Sequence, residues 1–129
     1  MAAVSAAVLS LWAPLVLYMA GIFYASSLSQ PPLPPGGDKP WHLLAYVGLA
    51  VLVVRAMAAG LPRRIAPATA AWSIAIGIAY AMSDEFHQAF VPGRTADVRD
   101  LVADALGVIV GTGLCWAWGI ISATSRDEL

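Results

Sequence analysis

PATAAWSIAIGIAYAMSDEFHQAF, residues 67–90, runs free of charge as far as Met82 and then enters SDEFHQ, where five of six residues are polar. No proline or glycine separates the two parts, so the helical pattern continues through both. The apolar part alone is short for a membrane span, which takes about 20 residues, but the whole stretch is long enough. Three further apolar runs, at 6–27, 41–59 and 101–121, meet that length directly. In a chain of 129 residues, four such segments leave little sequence for a soluble core. Composition agrees: 60% of residues are hydrophobic and 12% charged, and the mean hydropathy is +0.74. The expected fold is an all-α integral membrane protein, one domain over residues 1–129, built as a four-transmembrane-helix up-down bundle with helices near 6–27, 41–59, 67–90 and 98–121.

The alternatives fit less well. A β-barrel would show segments of alternating polarity, about 10 residues each, whereas these runs are continuous. A cleaved signal peptide wants a basic leader, and no Lys or Arg precedes Lys39. A soluble bundle would need polar helix faces, which are missing until the helix ends. The formal charge of −1 and the lack of a basic patch give no reason to expect nucleic acid. The lone Cys115 excludes an internal disulfide and a cysteine-based zinc site. The terminal RDEL is similar to an ER-retrieval tail, but it would face the cytosol in the orientation below.

The punctuation places the helix ends. Pro14 is tolerable inside a membrane helix because neighbours can satisfy the carbonyl that it frees. QPPLPPGG, residues 30–37, excludes helix and reads as a short, semi-rigid connection. Pro40 suits a first helical position, which makes Lys39 the expected cap and puts His42 in the first turn. Arg55 is expected to snorkel toward the loop that carries Arg63 and Arg64. Pro92–Gly93 stops the third helix, and Asp97 can cap the fourth, with Asp100 in its first turn. Arg55, Arg63, Arg64 and Arg126 fall at one end of the bundle, and Lys39, Arg94 and Arg99 at the other. The positive-inside rule then puts both termini in the cytoplasm and the opposite end outside. That outer end gathers Asp38, Asp84, Glu85, Asp97, Asp100 and Asp104, six acids against three bases.

Helical geometry groups these residues further. Ser83, His87, Tyr80, Asp84 and Gln88 span an arc of about 140°, with Glu85 about 60° beyond it. Asp97, Asp100, Asp104, Gly107 and Gly111 share an arc of about 80°. Gly107 and Gly111 form a small-xxx-small pair, which lets membrane helices approach closely. The glycine surface therefore runs into the acidic one and presses Asp100 and Asp104 against a neighbour. An acid as deep as Asp104 is costly in a membrane unless it is paired or hydrated.

DKPWH at 38–42, SDEFHQAFVPGRTA at 83–96 and DVRDLVADALG at 97–107 together resemble the VanZ-like family of small bacterial membrane proteins. The resemblance runs from Asp38 to about Gly111, while the first helix matches in kind only. It maps the family's polar pattern onto Asp38, Lys39, His42, Ser83, Glu85, Gln88, Arg94, Asp100 and Gly107. At Asp104 the chain departs from it, because the family typically carries asparagine there in an N-x-x-G pattern. The resemblance implies a protein of the cell envelope, in a family named for a member associated with low-level resistance to the glycopeptide antibiotic teicoplanin.

Two mechanisms fit these residue types. In the first, the protein is an enzyme acting on a phospholipid or lipid-linked envelope precursor at the outer leaflet. His42, Glu85 or His87 serves as general base. Asp84, Asp100 and Asp104 hold a divalent metal such as Mg²⁺. Asp38, Lys39, Ser83, Gln88 and Arg94 surround the substrate, with Lys39 and Arg94 on its phosphate. No P-loop, H-E-x-x-H or G-x-S-x-G signature is present. In the second, the same groups form an ion-pair network that binds a lipid, an antibiotic or a partner protein without turnover. A proton or ion path is less well supported, because the inner halves of the helices carry no polar relay.

Overall fold

The computed structural model describes residues 5–30 and 37–128, so most of the proline-rich connection lies outside the described residues. It contains four helices: α1 (Ala6–Ser26), α2 (Lys39–Met57), α3 (Pro67–Gln88) and α4 (Val98–Asp127). α1, α2 and α4 are long and apolar enough to cross a membrane. α3 is 22 residues long, and the polar residues of its last turns keep it out of that apolar class. No strand occurs among the described residues.

Two of the helices start on side chains that accept from their free amides. Ser5 caps α1 by accepting from Val8 N–H at 3.2 Å. Asp97 caps α4 by accepting from Arg99 N–H at 2.9 Å. α3 opens on Pro67, which has no N–H to leave unpaired. α2 differs from expectation, because Lys39 is its first helical residue rather than its cap. The carbonyl of Asp38 already accepts from His42 N–H at 3.0 Å, which extends the helix back by one position. α4 continues past the expected end to Asp127.

α2 is the central element and packs against all three others, most extensively against α4. α3 packs on both of these, and α1 lies across α2 and α3 without touching α4. The core between them is built from Leu15, Tyr46, Leu49, Ala50, Val53, Ala81 and Val108. A smaller cluster of Val54, Ile65 and Cys115 sits nearer the other end. Outward, Leu17, Tyr24, Trp72, Phe86, Phe90 and Val98 are exposed. So many large apolar side chains around a small protein face lipid rather than water, and the molecule is a helical membrane bundle.

α2 and α4 meet where Gly107 and Gly111 lack side chains. A Cβ on Gly111 would lie 2.6 Å from the Val47 carbonyl oxygen and 2.8 Å from Ala50 Cβ. One on Gly107 would overlap the Leu43 carbonyl and come to 3.0 Å from Tyr46 Cβ. α1 is fastened differently, by side chains that donate to backbone carbonyls. Tyr18 Oη donates to Ala45 O at 2.6 Å, and Tyr80 Oη to Met19 O at 2.6 Å. Arg55 does not turn to the 2–3 loop but donates to Ser10 O at 2.9 Å. Ser10 lies four residues before Pro14, so its carbonyl is the one that proline deprives of a helical partner. The freed acceptor draws the guanidinium across to α1.

Gly111→Val should destabilise the bundle by about 1–3 kcal/mol through overpacking. Gly113→Ala, whose new Cβ meets nothing within 4 Å, should leave stability unchanged or slightly raised. Thermal or steric-trap unfolding in detergent micelles distinguishes the two.

Candidate functional site

The last turns of α1 and α3 and the first turns of α2 and α4 enclose a pocket of about 630 Å³ at one end of the bundle. Its wall is two-sided. Ile22, Ala25, Trp41 and Ala45 supply apolar surface, while Asp38, His42, Asp84, Gln88, Arg94 and Asp100 supply polar groups. This amphiphilic lining follows from the helix-end position, where apolar membrane-depth residues give way to interfacial ones.

The α2–α4 side holds a charged network. Lys39 Nζ donates to Asp100 Oδ1 and lies 3.3 Å from Asp38 and 3.4 Å from Asp97. His42 Nδ1 is 2.8 Å from Asp104 Oδ1, and Nε2 is 3.8 Å from Asp100 Oδ2. Asp104 is fully buried. A carboxylate there accepts from Nδ1–H, which fixes the imidazole and leaves the Nε2 lone pair on the pocket side. This orientation is the one a histidine needs to act as a base or as a metal ligand. Outside the helices, desolvation acts to raise the pKa of Asp38, but the hydrogen bond and charge of Lys39 outweigh it and hold the carboxyl below its ordinary value. Asp97 is likewise lowered, chiefly by the Arg99 backbone N–H that it caps.

The α3 side is joined by neutral and cationic donors. Asp84 Oδ2 accepts from Tyr46 Oη at 3.2 Å and from Gln88 Nε2 at 3.3 Å. Gln88 Oε1 in turn accepts from Arg94 Nη2 at 2.7 Å. Arg94 also reaches the Leu28 carbonyl of the turn after α1, at 3.4 Å. It makes no ion pair with a carboxylate among the described residues. Glu85 Oε1 accepts from the Asp97 backbone N–H and so ties the end of α3 to the start of α4. Three buried carboxylate oxygens have no partner among the described residues: Asp84 Oδ1, Glu85 Oε2 and Asp104 Oδ2.

Most of the residues singled out in the sequence meet here. Asp38, His42, Asp84, Gln88, Arg94 and Asp100 line the pocket, Lys39 bonds Asp100, Asp104 stands behind His42, and Glu85 faces the 3–4 loop. Two do not join them. Ser83 is exposed and donates to Tyr80 O at 2.7 Å. His87 stacks on Phe23 with ring centroids 4.5 Å apart, and its Nε2 lies 3.0 Å from Ser27 Oγ. Side-chain geometry also groups possible metal donors differently from the expected Asp84, Asp100 and Asp104. Ligand atoms of Asp38, His42 and Asp100 lie within 4.8 Å of one another. Sequence reading passed over Trp41, Tyr46 and the α1 contribution of Ile22, Ala25 and Ser26. A usable signal was the small-residue series Ser73, Gly77 and Ala81, all buried. It marks an inward arc of about 120° that contains Asp84, Gln88 and Glu85 and leaves His87 and Ser83 outside.

The sequence profile of the VanZ/LLP1 family matches residues 9–121. The chain belongs to that family. Neither a curated protein nor a solved structure gives a significant match. The VanZ/LLP1 match extends the resemblance through most of α1, the helix that closes one side of the pocket. Asp104, where the family resemblance carries asparagine, lies 2.8 Å from His42 Nδ1, placed to accept from Nδ1–H.

That role is open to measurement by ¹⁵N NMR, because the chain has only two histidines. His42 should be held as the Nδ1–H tautomer in the wild type and in Asp104→Asn, whose amide oxygen can accept the same bond. Asp104→Leu should release it toward Nε2–H while the His87 signals stay in place.

Proposed function

We propose that this VanZ/LLP1 protein acts on the phosphate-bearing head group of an envelope lipid or lipid-linked precursor, at the outer leaflet of the bacterial inner membrane. The observation that carries this reading is the His42–Asp104 pair opening onto an amphiphilic pocket. Apolar walls suit the first carbons of a lipid, and Arg94, without a carboxylate partner among the described residues, suits its phosphate. A guanidinium fork matches two phosphate oxygens at once. His42 Nε2 then takes a proton from an attacking water or hydroxyl, and Asp104 supports the imidazolium that forms. Ser26 and Gln88, hydrogen-bonded to each other at 3.4 Å, are neutral partners for the rest of the head group. The orientation assigned to this end rests on four arginines at the far end against Lys39, Arg94 and Arg99 here.

A non-catalytic binding module is the second reading. Its support is the saturation of the α2–α4 side, where Lys39 bridges three carboxylates. Under either reading, a site for lipid-linked envelope precursors is compatible with the teicoplanin resistance associated with the family's namesake.

Native mass spectrometry and turnover assays with phosphatidylglycerol and polyprenyl pyrophosphate test the proposal. Arg94→Gln should weaken lipid retention by about 10–100-fold, the loss expected for charge-assisted hydrogen bonds. His42→Gln should retain lipid but lose turnover by about 10²–10⁴-fold. Retention without turnover in the wild type would select the binding module. Full retention of both lipids by Arg94→Gln would sink both readings.

A further inference from the structure

The pocket carries more negative charge than its cations balance. Asp38, Asp84 and Asp100 all face it, with Asp104 directly behind His42. Lys39 serves Asp38 and Asp100, but Asp84 has, among the described residues, only the neutral donors Tyr46 and Gln88. Asp84 is 5% exposed, and its Oδ1 is buried without a partner among the described residues. Asp104, at 0% exposure, likewise leaves Oδ2 bare. Anionic oxygens removed from water at membrane depth are costly unless a cation offsets them. A phosphate entering such a site would meet repulsion that Arg94 alone does not cancel.

We infer that Asp38, His42 and Asp100 form a divalent-cation site, with Asp104 as the outer partner that orients His42 and Lys39 as the built-in competitor for the same carboxylates. Two lines of geometry lead here. The three donor atoms lie within 4.8 Å of one another, and donors on opposite sides of a small dication sit about 4 Å apart. His42 also has the arrangement of a metal-binding histidine, with one ring nitrogen on a buried carboxylate and the other toward the donors. Two carboxylates and an imidazole favour Mn²⁺ or Zn²⁺ over Ca²⁺, which prefers an all-oxygen shell. Asp84, across the pocket, adds charge to the site. The cation's use rests on the phosphate binding proposed above and not on the base role of His42, whose single Nε2 lone pair cannot serve a cation and a proton at once; the bound cation would neutralise the acids that otherwise repel a head group.

The test uses the full chain in detergent, stripped with chelator and titrated with Mn²⁺ alone, with free Mn²⁺ followed by electron paramagnetic resonance. Wild type should bind one Mn²⁺ per chain, displaced by Zn²⁺. Asp38→Asn, at a half-exposed position, should weaken binding by at least about tenfold, the loss seen even for outer partners. Lys39→Met should bind Mn²⁺ more tightly than wild type, and Mn²⁺ should raise its Tm by more. A network that is only an ion pair predicts the reverse: Lys39→Met loses thermal stability and Mn²⁺ restores none of it. Absence of stoichiometric Mn²⁺ or Zn²⁺ in both wild type and Lys39→Met would overturn the inference, as would binding indifferent to Asp38→Asn. Lipid retained by metal-free protein that takes up neither ion would overturn this site and leave the lipid reading standing. Mn²⁺ bound by protein that retains no lipid would uphold the site and remove the lipid reading.

Discussion

The close approach of α2 and α4 is the constraint on which the other features depend. Lipid is as apolar as leucine, so helices in a membrane gain little from hiding apolar surface and associate through tight packing and polar contacts. Gly107 and Gly111 permit the packing by leaving the α2 backbone as their contact surface. One and two turns further toward the N-terminus of α4, Asp104 and Asp100 are then brought against the first turns of α2. His42 and Lys39 are the groups they meet. The glycine contact and the charged contact are one continuous seam, so the geometry of the site is set by how closely two backbones can approach.

α1 is held on another basis. Apart from Leu15 it buries little apolar side chain, and its attachment runs through Tyr18, Tyr80 and Arg55. Pro14 contributes by what it lacks, leaving at Ser10 an acceptor for an arginine of α2. The pocket thus has three walls fixed by packing and a fourth fixed by hydrogen bonds. That fourth wall is the part of the site that the sequence alone concealed.

The reason is physical. Periodicity reports which residues share a face, and it put Asp100, Asp104, Gly107 and Gly111 together correctly. It does not report where a face is centred against its neighbour. On α3 the polar arc is wider than the interface, so one edge of it, with Ser83 and His87, fell outside. There, Phe23 of α1 covers His87. The contributions of Trp41 and Ile22 were illegible for a related reason: lipid-facing and pocket-facing apolar residues read alike in a membrane chain. Arg55 was assigned to the nearest loop because a carbonyl freed by proline leaves no mark in the sequence at the residue that will satisfy it. The helices themselves were legible because each is a long apolar run ended by proline, glycine or charge.

At 30 residues, α4 is about 45 Å long, while the hydrocarbon core of a bilayer is about 30 Å thick. Its first turn is pinned at the pocket end by the Asp97 cap and the Lys39–Asp100 contact. An untilted α4 held there carries its surplus length to the opposite face, where Arg126 and Asp127 form its last turn. A helix resists axial compression because every turn is hydrogen-bonded to the next. The acid cluster at one face and the projecting turn at the other are thus the two ends of a single stiff rod, and a displacement along its axis at either end is felt at the other.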